Sequence, residues 1–182
     1  MDDIVKQALT KWPNVPDCYG WLGLDARGNW YMRDERAQAC GDFASGKPGA
    51  KGSVLQHAKL IEFINRNYDV DAQGAWFFQN GPQRVYVELE ATPHVWRVQS
   101  CGVVSSNASH TVVFQRCFMD ERGWAYLQTS AGFGLVHTQD VAALDQAIEN
   151  KRWNVEDVVS SDLPRRFAYI TSPQAGRVGA AV

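Results

Sequence analysis

The sequence predicts an α+β fold of two related halves, each built from antiparallel β-hairpins or a small sheet packed with a helix. Three observations predict it. One phrase recurs, as DARGNWYM at 25–32, DAQGAWFF at 71–78 and DERGWAYL at 120–127. It places Asp and Gly, which suit tight turns, next to strand-forming aromatic residues. Segments such as RVYVELE alternate, with Val85, Val87 and Leu89 on one face and Arg84, Tyr86, Glu88 and Glu90 on the other. That period of two marks strands with one packed face and one that meets solvent or a partner. Two segments instead show the 3.6-residue period of amphipathic helices. A solenoid is disfavoured, because the segments between the copies are unlike one another and solenoids stack at least three similar units.

In chain order, residues 2–10 have room for one or two helical turns before Pro13. WLGL-DARG-NWYM reads as strand, turn, strand. Residues 34–50 are a long loop of small and polar residues, the kind that is often functional or mobile. A helix is expected over 51–67, with Ser53 and Gln56 as a capping box and Leu55, Ala58, Ile61, Ile64 and Tyr68 as its apolar stripe. DAQG then connects helix to strand, and Asn80-Gly81-Pro82-Gln83 turns a hairpin between AWFFQ and RVYVELE. A further hairpin of 96–104 with 111–118 closes through SSNAS, and DERG turns the next one. A second helix is expected over 138–149, with Thr138 as cap and Asp140 favouring the helix dipole. A short third helix follows at 154–160, then a strand at 167–172 and a loose tail. The halves divide as 1–92 and 93–182, or the two form one compact unit.

With 182 residues the chain is long enough to bury a substantial core. Its formal charge of −2 and the acids interrupting the Lys151–Arg177 basic region argue against nucleic acid as a partner. MDDIVKQALTKWP lacks the features of a signal peptide, and no apolar run is long enough for a membrane span, so a cytoplasmic location is expected. There Cys18, Cys40, Cys101 and Cys117 would be free thiols. Seven Trp residues are the compositional excess. They imply aromatic clusters between thin layers, or exposed aromatic binding faces.

No catalytic motif is present. Ser105, Ser106 and His110 share a loop, but there is no nucleophile elbow and no nearby carboxylate to orient the imidazole. Cys101, His110 and Cys117 are a weak alternative as metal ligands, because their spacing is wider than that of structural zinc sites. His137 and Asp140, at the entrance of the second helix, read as ordinary capping. The best candidate ligand site gathers Arg84, Glu88, Glu90, His94, Trp96 and Arg97 around the crossover between the halves, with Trp30 and Trp76 as walls or core. Aromatic faces with an Arg and a carboxylate suit a small polar metabolite, and such pockets favour junctions.

Residues 20–98 resemble an uncharacterised proteobacterial family, a domain of unknown function with a two-repeat α+β fold. The resemblance rests on Asp25, Gly28, Trp30, Tyr31, Asp71, Gly74, Trp76, Gly81, Pro82, Val85, Val87, Leu89, Glu90 and Pro93. The loop at 34–50 is longer than the family pattern, and the C-terminal half does not align. The resemblance implies fold more than function; a part in signalling or small-ligand sensing has been proposed for the family, and no catalytic residues come with it. The expectation is a small-ligand-binding or signalling accessory module without catalysis and without a cofactor. Alternatives are a protein-interaction module, such as a homodimer, and a hydrolase or transferase using the 101–117 region.

Overall fold

The computed structural model describes residues 1–99, 104–106 and 111–178. Along the chain run α1 (Asp3–Lys11), β1 (Cys18–Leu24), β2 (Trp30–Met32), α2 (Glu35–Cys40), β3 (Ser53–Val54), α3 (Ala58–Arg66), β4 (Tyr68–Val70), β5 (Trp76–Asn80) and β6 (Gln83–Leu89). There follow β7 (His94–Val98), β8 (Val104–Ser106), β9 (Thr111–Val112), β10 (Phe114–Asp120), β11 (Ala125–Thr129) and β12 (Gly132–Val136). The chain continues with α4 (Val141–Glu149), β13 (Val155–Val158), α5 (Leu163–Arg166) and α6 (Pro173–Val178). Two compact units result: Met1–Asp25, Asn29–Glu90 and Tyr169–Val182 form the first, Ala26–Gly28 and Ala91–Ala168 the second. Both are α+β. Among the described residues no helix is long and apolar enough to cross a membrane.

The first unit has a six-stranded sheet, ordered β3-β2-β1-β6-β5-β4. The hairpins are antiparallel, but β1 joins β6 in parallel, so the sheet is mixed. Strand β6 lies between β1 and β5, and this changes its environment. Tyr86 and Glu88, expected on an exposed face, are as buried as Val87 and Leu89. One face packs on α3, where Phe63 meets Phe78 edge-on. Segment 169–178 covers the other: Ile170 packs against Ala75, Phe77 and Tyr86, and Tyr19 stacks on Tyr86 at 4.4 Å. This segment is neither the expected strand at 167–172 nor a loose tail. Its backbone bonds Gly74 and Leu89 on the way to α6.

The second unit has a seven-stranded sheet, ordered β13-β10-β11-β12-β7-β8-β9. Parallel pairs join β12 to β7 and β10 to β13. Its core includes Trp96, Val98, Cys117, Leu127, Leu144 and Trp153. The expected helix at 154–160 is largely a strand, because the β-branched residues Val155 and Val158 pair alongside β10. The expected helix at 138–149 is present, entered through a short 3-10 turn at Thr138–Asp140. The strand expected over 96–104 is two antiparallel strands, β7 and β8, and β8 takes in Ser105 and Ser106, expected in a loop, with Ser105 pairing Thr111 of β9.

The helix expected over 51–67 begins only at Ala58. Ser53 and Val54 pair instead with Met32 and Tyr31 in the sheet, and His57 Nδ1 accepts the Leu60 N–H as the cap. The second copy of the repeated phrase turns a hairpin between β4 and β5, like the other two, and is not a helix-to-strand link.

The three copies share one local structure. The Asp N–H donates to the carbonyl four residues on, and one carboxylate oxygen accepts that residue's N–H, at 2.8 Å for Asn29, 2.9 Å for Ala75 and 2.8 Å for Trp124. The Gly at the fourth position has φ of +80°, +89° or +77°, which side-chain-bearing residues rarely adopt. A tyrosine completes each unit. Tyr126 O–H donates to Asp120, and Asp25 hydrogen-bonds the side chain of Tyr31, each tyrosine six residues after its Asp. In the second copy that position is Phe77, and its cross-strand neighbour Tyr86 bonds Asp71 at 3.0 Å.

Candidate functional site

The most site-like arrangement is a slot on the first unit, over Glu88. Glu88 sits in β6 opposite Gly23 of β1. A Cβ at Gly23 would lie 2.5 Å from the Phe43 ring, so only glycine lets Phe43 lie flat on the sheet there. Phe43 belongs to loop 41–52, which forms one wall with Asp42 and Ser45; Thr171, Ser172 and Ala175 form the other. The cleft has a volume of about 270 Å³.

The floor is organised. Ser172 Oγ–H donates to Glu88 Oε2, and the Gln174 N–H donates to Oε1 at 3.0 Å. Burial raises the Glu88 carboxyl above its ordinary value, against the opposing pull of these bonds and of the Arg33 charge. Arg33 is itself fully buried. Its guanidinium donates to the carbonyls of Ala50 (2.8 Å), Gly20 (3.3 Å) and Gly41 (2.6 Å), and so ties the long loop to β1. Near Phe43, Lys51 pairs with Glu90 at 2.6 Å and lies 5.7 Å from the Phe43 ring centre and 5.8 Å from that of Tyr31.

The structure places the sequence-predicted site residues as follows. In the first unit, Arg84 is exposed, its guanidinium 4.7 Å over the Phe77 ring. Glu88 is the slot floor, and Glu90 holds Lys51. Trp30 and Trp76 lie together on the helix-covered side, on either side of Tyr68, at 5.2 and 4.8 Å. Trp30 is buried and donates its indole N–H to Asn65 at 3.0 Å.

In the second unit, His94 stacks on Trp96 at 4.8 Å, and burial lowers its imidazole to about 4. Trp96 is a core residue that donates to the Leu127 carbonyl. Arg97 makes a two-pronged ion pair with Asp140 at 2.6 and 2.9 Å. Those bonds, with the Val98 N–H, hold Asp140 below the usual carboxylate range. Asp140 is thus an anchor for β7, and His137 caps the turn by accepting the Gln139 N–H. Cys101 and His110 lie outside the described residues. Cys117 is buried in β10, its thiol pushed up to about 11 by burial. Among the described residues no group of three His, Cys, Asp or Glu side chains could hold a metal ion.

Sequence reasoning missed Arg33, Asp42, Ser45 and Ser172. Arg33 had one available signal: an arginine directly after a strand and before a glycine-rich loop, with that loop's carbonyls to satisfy. Ser172 had none, since it comes from the far end of the chain.

The family model described as "Protein of unknown function (DUF2946)" matches residues 1–174, beyond the 20–98 of the sequence resemblance. No curated protein matches. Among solved structures, the crystal structure of a DUF1285 family protein from Silicibacter pomeroyi DSS-3 is similar, at 12% identity over 79% of this chain and 83% of that one, with a TM-score of 0.46.

Proposed function

The chain belongs to the DUF2946 family of proteins of unknown function, and on its own geometry we propose that it is a non-catalytic binding module for a small polar ligand, held in the slot over Glu88. One observation carries this: a carboxylate only 2% exposed forms the floor of an open cleft. Buried carboxylates with a raised pKa in clefts are enriched at functional sites. Around it stand acceptors and hydroxyls, from Asp42, Ser45, Thr171 and Ser172, while the Arg33 donors face backbone carbonyls. The slot therefore favours a ligand that donates hydrogen bonds, such as a small amine or polyol. The test is a thermal-shift and calorimetric panel of small amines, polyols and carboxylic acids on the wild type and on Glu88→Gln. Amines or polyols should stabilise the wild type and lose affinity in the variant by about tenfold or more. A panel with no binder, or a binder indifferent to Glu88, removes the reading.

Glu88 also predicts a pH dependence. Its folded pKa is raised, so its ionisation opposes folding. The penalty is absent below the ordinary carboxyl value near 4.5 and grows as pH rises through the folded value. Glutamine preserves the geometry: its oxygen can accept the Gln174 N–H, and its amide can donate to the Ser172 hydroxyl. The stability of Glu88→Gln relative to wild type should therefore be higher at pH 7 than at pH 4, measured by urea unfolding. An equal difference at both values would mean that Glu88 does not titrate at the expense of the fold.

A further inference from the structure

We propose that residues 169–178 form a strap that opens and closes one wall of the slot over Glu88, turning at Ala168. This names a regulation of the site proposed above and rests on that reading for what the slot admits; the motion itself needs no ligand.

The strap is docked on the first unit and pairs with no strand of its sheet among the described residues. Two backbone bonds hold its root. The Ile170 N–H donates to the Gly74 carbonyl at 3.0 Å, and the Thr171 carbonyl accepts the Leu89 N–H at 2.8 Å. Beyond the root, side chains do the holding. Glu88 accepts from the Ser172 hydroxyl and, at 3.0 Å, from the Gln174 N–H. Gln174 Nε2–H donates to Gln38 Oε1 at 3.1 Å, and the Arg177 guanidinium lies 4.5 Å over the Tyr19 ring. Gly20 leaves room for this seat, since a Cβ there would lie 2.5 Å from the Gln174 side chain. Thr171, Ala175 and Arg177 are exposed, so the strap is a single layer. A thin segment with few buried contacts opens at less cost than the whole fold. Tyr169 and Pro173 are buried, which keeps the closed strap the major form.

The hinge is strained while the strap is shut. Ala168 is exposed and has φ of +51°, one of two non-glycine residues with positive φ among the described residues. A side-chain-bearing residue pays energy for that conformation and releases it when the chain extends. Backbone strain of this kind gathers at ligand clamps and switches. Lifting the strap takes Thr171, Ser172 and Ala175 out of the slot wall and uncovers a carboxylate that is 2% exposed when it is shut. A ligand that touches both walls therefore holds the strap closed.

Two readouts on the full chain test this without any ligand. The first is hydrogen exchange followed by NMR. The amides of Ile170, Gln174 and Leu89 should exchange together and faster than those in the middle of β6, because all three bonds are lost when the strap lifts. The second is labelling of Glu88 by a carbodiimide with glycinamide, read by mass spectrometry, with the exposed Glu62 as control. Ser172→Ala removes one bond to a carboxylate and should speed both strap exchange and Glu88 labelling by about fivefold or more. Ala168→Gly relieves the hinge and should slow both by about fivefold. Ala168→Val puts a branched side chain at positive φ and should speed both. Glu62 labelling should not move. The proposal is overturned if the three amides exchange only with the middle of β6, if the Ala168 variants leave strap exchange unchanged, or if strap exchange changes while Glu88 labelling does not. A ligand panel without a binder would remove the slot reading and leave these rates as they are.

Discussion

Replacing Arg33 with methionine is expected to lower the stability of the first unit by about 3–5 kcal/mol, the range found when one partner of a buried charged network is removed. The reason is the number of groups that depend on it. Three backbone carbonyls, of Gly20, Gly41 and Ala50, accept from one fully buried guanidinium. Methionine fills much of the volume but donates nothing, and each buried acceptor left without a donor costs about 1–3 kcal/mol. The Glu88 carboxylate also loses the positive charge that opposes its desolvation. Lysine should recover only part, because a single ammonium cannot reproduce the planar fork that meets three separate carbonyls. Urea denaturation of wild type, Arg33→Met and Arg33→Lys measures the series. A methionine variant within about 1 kcal/mol of wild type would show that the carbonyls find other donors and that loop 41–52 is not anchored through Arg33.

Replacing Asp120 with alanine is expected to cost the second unit about 2–4 kcal/mol, the sum of a lost turn cap and unpaired buried donors. Its side chain accepts the N–H groups of Arg122 and Trp124 at 3.0 and 2.8 Å, the Arg122 guanidinium at 2.9 and 2.7 Å, and the Tyr126 O–H at 2.8 Å. Arg122 can turn to water. Tyr126, 1% exposed, cannot, and its hydroxyl would keep only the Arg122 contact. Burial works to raise the Asp120 carboxyl, but the bonds from Arg122, Trp124 and Tyr126 outweigh it and hold the carboxyl below its ordinary value. Asp120 therefore contributes stability that is present above the ordinary carboxyl range and is lost as pH falls through the folded value. The deficit of Asp120→Ala should shrink in acid. Asp71→Ala, at the more exposed second copy, should cost less. Thermal unfolding of both variants at pH 7 and pH 3 decides the point; a deficit independent of pH would mean that the charge of Asp120 is not what the turn uses.

These two residues show where the sequence was informative. The repeated phrase announced Asp and Gly as turn residues, and all three copies turn hairpins. The second copy was harder, because a short strand, β4, lies between the helix and the turn, and three residues carry too little periodicity to be recognised. The tyrosine partner was not read from the sequence, although in the first and third copies it stands at one fixed spacing, six residues after Asp25 and Asp120. In the second it was not, because Tyr86 reaches Asp71 only through strand pairing with Phe77. Arg33 looked like an ordinary loop arginine. Its role depends on carbonyls brought together from Gly20, Gly41 and Ala50 by the fold.

By itself the sequence determined the α+β class, the hairpin turns, the helix over 138–149 and one face of each alternating strand. Those features arise from contacts within a few residues, where turn chemistry and periodicity act. Only the tertiary structure decided that β6 would be buried on both faces, that segment 169–178 would return to cover Glu88, and that residues 155–158 would pair with β10 instead of coiling. Parallel pairing and the packing of distant segments join parts of the chain that share no local pattern. The same geometry turned an apparently solvent-facing glutamate into the buried floor of a cleft.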